Sequence, residues 1–312
     1  MSTPIAYLNG SFIPESAARL PVSDLGIVGA MSVTEMARTF RHQPFRLDEH
    51  LARLMKSLDY VGFPISLDME GLRRICDEVV ATNAALIPGH HDLGLIVFVT
   101  AGLNRTYLGR AAAQAGSTVC VHTFPLPFEL WSDLYDTGLH LVTVPTRGIP
   151  DDVIDPRVKH RSRLHWHLAS REAHQVDPAA MAILTDQDGN LTETATGNLC
   201  AVDGTTIVTP AAHVLEGVSR EFLVELAGSL GLSVVHAAVS PTDLAHADEA
   251  FLTSTPHCLL PVTQFNCSPI GSGKPGPVFQ KLIEAWSQVV KVNIREQMRQ
   301  GAADRAEASC MS

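Results

Sequence analysis

Apolar positions recur along this chain with two periods, and the places where the period changes mark its elements. Residues 6–14 read as two short apolar runs around Asn9-Gly10, the pattern of a β-hairpin on a tight turn. Over 46–58, Leu47, Leu51, Leu54, Met55 and Leu58 recur at spacings of three and four and define one face of an amphipathic helix. Asp48 and Glu49 stand at its start, where the helix dipole favours negative charge, and Arg53 lies one turn beyond His50. Leu72, Ile75, Cys76 and Val79 predict a second helix over 69–86, stopped by Pro88 and Gly89. Leu93–Thr100 is an unbroken apolar run of strand length.

The stretch Phe124-Pro125-Leu126-Pro127-Phe128 is stiff and proline-rich and separates this half from the next. Beyond it the pattern predicts strands at 139–144 and Met181–Thr185 with a helix at about 162–176 between them. A turn follows at 186–190, then strands at 199–202 and 206–208 and a helix at 220–230. The class is mixed α/β (α+β). Four segments are expected: a small α/β domain over 1–122, an interdomain loop over 123–137, a larger domain over 138–295, and a tail over 296–312 that lacks apolar periodicity and should be disordered.

A chain of 312 residues, 46% of them hydrophobic, can bury two modest cores. With 33 acidic against 23 basic residues and a net charge of −10, it offers no basic footprint for a nucleic acid, so its partners should be small molecules. The first ten residues carry neither a charged nor an apolar leader segment, and no run of about 18 uncharged apolar residues follows. A cytoplasmic protein without a membrane partner is expected. The six cysteines are scattered without metal-site or redox spacing and should be free thiols. No metal site is expected: His165 and His167, two apart on a helix, point to different faces.

Only five lysines occur, and Lys56, Lys274, Lys281 and Lys291 fall in segments that read as exposed helix or glycine-rich loop. Lys159 heads Lys159-His160-Arg161-Ser162-Arg163-Leu164, with Arg157, Arg161 and Arg163 around it. Neighbouring cations and burial both disfavour an ammonium ion, and only a neutral amine attacks an aldehyde. Alone, the segment would read more readily as an ordinary basic surface stretch. Thirty-four residues on, however, comes Glu193-Thr194-Ala195-Thr196-Gly197-Asn198. Thr209-Pro210, Leu215-Glu216-Gly217-Val218-Ser219-Arg220 and Ser254-Thr255 follow, while His50-x-x-Arg53-Leu54 precedes them all. In this order, from Tyr7 to about Trp286, the motifs resemble those of the class IV, or fold-type IV, pyridoxal-phosphate-dependent aminotransferases. That superfamily comprises the branched-chain and D-amino-acid aminotransferases and aminodeoxychorismate lyase.

The resemblance implies a small N-terminal α/β domain, a larger domain with a β-barrel-like core, and a homodimer. It implies pyridoxal 5′-phosphate as cofactor, with Lys159 as the Schiff-base lysine and the general acid/base. Glu193 would hold the proton on the ring nitrogen, with Asn198 in the same motif. Arg53, Val218, Ser219, Ser254 and Thr255 would bind the phosphate. The implied reaction moves an amino group between an amino acid, a branched-chain L-amino acid being the leading candidate, and a 2-oxo acid.

Several positions depart from the family pattern. Cys200 and Thr34 stand where relatives place aromatics, and Thr100-Ala101-Gly102 replaces the Thr-Arg-Gly of D-amino-acid members. Ile96-Val97-Phe98 replaces the Tyr-x-Arg of branched-chain members. Thr34, Arg38 and Arg105 are the candidate substrate-binding residues. Lys159-His160-x-x-Arg163-Leu164 and Gly102-x-x-Arg105-Thr106-Tyr107 look somewhat like the lyase branch, in which pyruvate is eliminated from aminodeoxychorismate. A non-catalytic binding module is the reading that retention of both Lys159 and Glu193 opposes.

Overall fold

The computed structural model describes residues 3–110 and 116–310. They divide into two compact units. The first holds the chain up to Leu126 together with Val158–Arg163, and the second holds Pro127–Arg157 and the chain from Leu164 onward.

The first unit is built on six strands, β1 (Ile5–Leu8), β2 (Ser11–Pro14), β3 (Ser32–Phe40), β4 (Gln43–Pro44), β5 (Leu93–Thr100) and β6 (Thr118–Pro125). They form an antiparallel sheet in the order β2-β1-β6-β5-β3-β4. Helices α1 (Leu25–Val28), α2 (Leu47–Val61), α3 (Met69–Ala84) and α4 (Arg105–Leu108) accompany it. The expected hairpin is β1–β2: Asn9 and Gly10 both take positive φ, 47° and 97°, as a two-residue turn matched to strand twist requires. The leucine face of α2 and the Leu72-Ile75-Cys76-Val79 face of α3 cover one side of the sheet, burying Val33, Ala37, Leu95, Val97, Val99 and Val121. Asp68 caps α3, accepting the Gly71 N–H at 2.7 Å.

The second unit contains β7 (Leu139–Thr143), β8 (Met181–Thr185), β9 (Leu191–Thr194), β10 (Asn198–Asp203), β11 (Thr206–Pro210), β12 (Ser233–Ala237), β13 (Glu249–Ser254), β14 (Cys258–Phe265) and β15 (Ser268–Pro269). Its helices are α5 (Leu134–Thr137), α6 (Leu164–Val176), α7 (Val218–Ser229), α8 (Pro241–Ala245), α9 (Pro277–Val290) and α10 (Ile294–Cys310). Pairing runs β10-β13-β14-β7-β8-β9 and returns from β9 to β10, which closes a six-stranded barrel. At its Asn198 end β10 pairs with β9; at its Asp203 end it pairs with β11, so one strand serves both the barrel and its flank. Trp166, Ala169 and Ala173 of α6 pack on Val142, Ala182 and Leu184, and Phe222 of α7 meets Trp286 of α9 edge-on at 4.8 Å.

Two expectations are corrected. The segment carrying Lys159 lies outside the large unit expected over 138–295, because residues 158–163 return to the first unit and pair with β3. The tail expected to be disordered is helical over 296–310, with 311–312 outside the described residues. Ile294 and Met298 are fully buried, Gly301 lies against buried Phe128, and Arg299 and Arg305 pair with Asp136 and Glu129 at 2.7 and 2.6 Å. Long-range contacts with α5 and the Phe128 turn hold a helix whose own apolar pattern is weak. No helix among the described residues is long and apolar enough to cross a membrane.

Candidate active site

Lys159 is half-buried, whereas Lys56, Lys274, Lys281 and Lys291 are exposed. Its backbone is fixed by pairing with β3. Val33 and His160 form an antiparallel bridge, Thr34 N–H donates to Lys159 C=O at 2.8 Å, and Arg161 N–H donates to Ser32 C=O at 3.0 Å. On α2, Ser57 Oγ accepts the Lys159 N–H at 3.4 Å, and beyond the lysine Ser162 Oγ donates to Ala30 C=O at 3.1 Å. This register sets Lys159 opposite Thr34. The buried Thr34 hydroxyl donates to Val97 C=O at 3.0 Å, so a polar side chain is tolerated inside the strand.

The next residue, Glu35, points through β3 to the side covered by α2 and is 1% exposed. Arg53 grips its carboxylate with both Nε and Nη2, at 2.7 and 2.8 Å, and His50 Nδ1 meets it at 2.9 Å. Burial alone would raise the Glu35 pKa; the charge of Arg53 and hydrogen bonds from His50 and Arg53 outweigh it and hold the group at about 2. Burial pushes His50 down from its ordinary value, partly offset by Glu35, so the ring is neutral at pH 7 and Nδ1–H donates. The arginine expected at the cofactor phosphate thus has its guanidinium plane set by a buried carboxylate. Glu35 was legible in principle: it is a lone acid at an inward position between Val33 and Ala37, opposite a helix face bearing His50 and Arg53.

The remaining candidates gather in the second unit. Glu193 and Asn198 are five residues apart because they are cross-strand partners across the Ala195-Thr196-Gly197 turn. That turn is pinned by Thr194, whose Oγ1 accepts the Gly197 N–H at 3.0 Å. Asn198 Nδ2 donates to Glu193 Oε2 at 3.1 Å and to Leu215 C=O at 2.9 Å, and Leu215 N–H donates to the same Glu193 oxygen at 3.1 Å. Val218 and Ser219 form the first turn of α7, whose N-cap, Gly217, provides no side-chain cap. A Cβ at Gly217 would lie 2.0 Å from Asn198 Oδ1, so the backbone approaches as closely as it does only because that residue is glycine. Ser254 Oγ donates to Thr196 C=O, tying the end of β13 to the same turn, and Thr255 follows it, half-buried. An uncapped helix start beside a glycine, with two hydroxyl residues nearby and a carboxylate held by an amide, is a donor set suited to a phosphorylated pyridinium aldehyde.

Two substrate candidates behave differently from expectation. Arg38 is 1% exposed: its guanidinium lies 4.0 Å from the centre of the Phe40 ring, Nε donates to Thr39 C=O at 3.1 Å, and Nη2 is 3.9 Å from Asp92 Oδ2. Its guanidinium is thus buried and already engaged within the first unit. Arg105 stands exposed on α4, a short helix that buries none of its residues.

The profile of the family described as amino-transferase class IV matches residues 32–265. The chain is a class IV aminotransferase. As such it is a pyridoxal-phosphate-dependent enzyme acting on small-molecule amino acids and 2-oxo acids. A Methanocaldococcus jannaschii protein, provisionally named a branched-chain-amino-acid aminotransferase, is 28% identical over 91% of this chain and 95% of its own length. D-alanine aminotransferase of Bacillus licheniformis is 29% identical over 86% of this chain and 91% of its own. The crystal structure of the Escherichia coli branched-chain amino acid aminotransferase superposes with a TM-score of 0.84 at 23% identity, over 93% of this chain and 95% of the other. It shares the small domain and barrel described above.

Proposed function

We propose that this aminotransferase exchanges amino groups between an L-amino acid with an apolar, branched side chain and a 2-oxo acid. The carrying observation is the sheet face on which Lys159 lies. Beside Thr34 that face presents Met36, Ile96 and Phe98, all half-buried, on the side away from the α2–α3 core. Such a row suits an aliphatic side chain held near the reacting carbon. Two of the similar proteins, named branched-chain-amino-acid aminotransferases, support the same reading, while the third is named for D-alanine.

Pyridoxal phosphate, when bound, supplies the electron sink that lets the Cα–H bond of the amino acid ionise. The other roles fall to this chain. The Lys159 amine moves the proton between the substrate Cα and the cofactor C4′. Glu193, aligned by Asn198 and the Leu215 amide, holds a proton on the ring nitrogen. Val218, Ser219, Ser254 and Thr255 would hold the phosphate, and Arg53, whose plane is set by Glu35, would be a further ligand for it. We further infer a cytoplasmic homodimer. The test is a half-reaction panel with the cofactor-loaded enzyme. Loss of visible absorbance with L-leucine or L-isoleucine, restored by a 2-oxo acid, is expected. A response only to D-amino acids, or pyruvate released from aminodeoxychorismate, would overturn the substrate assignment.

A further inference from the structure

The turn that carries Ser254 and Thr255 holds a conformation that its own residues disfavour. β13 and β14 pair Ser254 with Cys258, so Thr255, Pro256 and His257 make a three-residue loop between them. Pro256 has no N–H and biases Thr255 toward extended backbone. Cys258, which closes the loop, has a φ of 62°, in the left-handed region that glycine usually supplies. A residue with a side chain stays there only where its surroundings hold it. His257 and Cys258 are both buried, so the hold comes from within the protein.

Tyr135 of α5 supplies that hold. It is 1% exposed, and its hydroxyl donates to the His257 carbonyl, the peptide oxygen immediately before Cys258. The Trp131 ring, from the same segment, lies 5.7 Å from the His257 ring. Helix α5 is itself gripped by three other elements. Thr263 of β14 donates from Oγ1 to Thr137 C=O at 2.8 Å, and Asp136 accepts from Arg295 and, at 2.7 Å, from Arg299 of α10. Phe279 of α9 meets the Tyr135 ring with centroids 6.3 Å apart. The phenol thus passes the position of a fixed helix to the loop. On the other side of the loop, Ser254 Oγ donates to Thr196 C=O, in the turn between Glu193 and Asn198. Between the two anchors the Thr255 hydroxyl meets no acceptor among the described residues and is available to an anion.

We propose that Tyr135 is a positioning residue for the cofactor phosphate, fixing through the His257 carbonyl the turn that presents Ser254 and Thr255. The proposal rests on the reading of that turn as a phosphate ligand. Tyr135 is too buried to be a ligand itself, so its effect is confined to molecules that carry the phosphate. Phenylalanine in its place keeps the ring and its packing against Phe279 and removes the bond to the loop. Cys258 is then free to leave the left-handed region, and Thr255 moves with it.

The experiment titrates full-length apoprotein, as wild type, Tyr135→Phe and Phe279→Leu, with pyridoxal phosphate and with pyridoxal, which has the same ring and aldehyde but no phosphate. Chemical denaturation of each apoprotein runs alongside. Wild type should bind pyridoxal phosphate the more tightly of the two. Tyr135→Phe should lose about fivefold or more in affinity for pyridoxal phosphate and less than about twofold for pyridoxal. Phe279→Leu loosens the packing behind Tyr135 and keeps its hydroxyl, so it should lower stability without narrowing the gap between the two ligands. Unchanged affinity for pyridoxal phosphate in Tyr135→Phe, or equal loss on both ligands, would overturn the proposal. Failure of the phosphate reading would show in wild type itself, as equal affinity for the two ligands, and would remove the proposal with it.

Discussion

Asn198 Nδ2 donates to Glu193 Oε2 at 3.1 Å, and the Leu215 amide donates to the same oxygen at the same distance. Two neutral donors on one carboxylate oxygen fix the direction of the group without neutralising it, as a carboxylate that must face a pyridinium nitrogen requires. Asn198→Ala removes one donor and frees the Leu215 carbonyl. About 1–3 kcal/mol of alignment should be lost, read as a tenfold to hundredfold weaker affinity for pyridoxal phosphate by equilibrium titration. Glu193→Gln should retain cofactor far better than it retains rate, because the ring nitrogen then loses its anionic partner. Equal losses in both would show that Glu193 is structural.

Gly217→Ala tests the approach of α7 to the barrel. The backbone φ of −73° suits any residue, so the effect is steric alone: the new Cβ falls 2.0 Å from Asn198 Oδ1. Either the amide or the helix start must move, and both belong to the proposed cofactor cradle. Cofactor affinity should fall about tenfold or more while far-UV dichroism of the apoprotein is unchanged.

Glu35→Gln keeps the shape of the buried side chain and removes the charge that Arg53 faces. Breaking a buried ion pair by removing one charge is destabilising by about 3–5 kcal/mol, and the fall should appear in chemical denaturation of the apoprotein. If Arg53 is also the phosphate ligand, titration of the folded fraction will show weaker cofactor binding as well. Loss of stability with unchanged cofactor affinity would confine the pair to the core.

Acid should act on this network in two steps. His50 has its folded pKa lowered by burial, so its contribution is complete above the ordinary histidine value of 6.5 and is lost as pH falls below it. Glu35 is lowered from 4.5 to about 2, so its contribution is present above 4.5 and is lost as pH falls from there toward 2; it amounts to about 3 kcal/mol at neutral pH. Between pH 7 and pH 5, unfolding free energy should fall more steeply in wild type than in His50→Asn. Parallel slopes would refute a neutral buried His50.

Local pattern made about half of the first unit legible: the Asn9-Gly10 turn, α2, α3 and Leu93–Thr100 carry their information in turn chemistry, helical spacing or an unbroken apolar run, whereas β3 and β6 went unread. The return of residues 158–163 to that unit was not legible, since its cause is pairing with β3 more than a hundred residues earlier. The helical tail was missed for the same reason: Gly301 and Met298 are ordered by Phe128 and its surroundings, not by each other. Among site residues, the spacing of Glu193 and Asn198 was visible and its cause, a hairpin, was not. Arg38, a candidate for substrate by sequence, is buried beside Asp92, a long-range neighbour that no local pattern reveals.

The central claim is that Lys159 is the lysine that bonds to the cofactor. Borohydride reduction of the protein loaded with pyridoxal phosphate, followed by peptide mass mapping, reads this directly because only five lysines can carry the label. The expected result is one pyridoxyl group on Lys159, absent from Lys159→Ala. A label on Lys56, Lys274, Lys281 or Lys291, or none with cofactor in excess, would contradict the assignment.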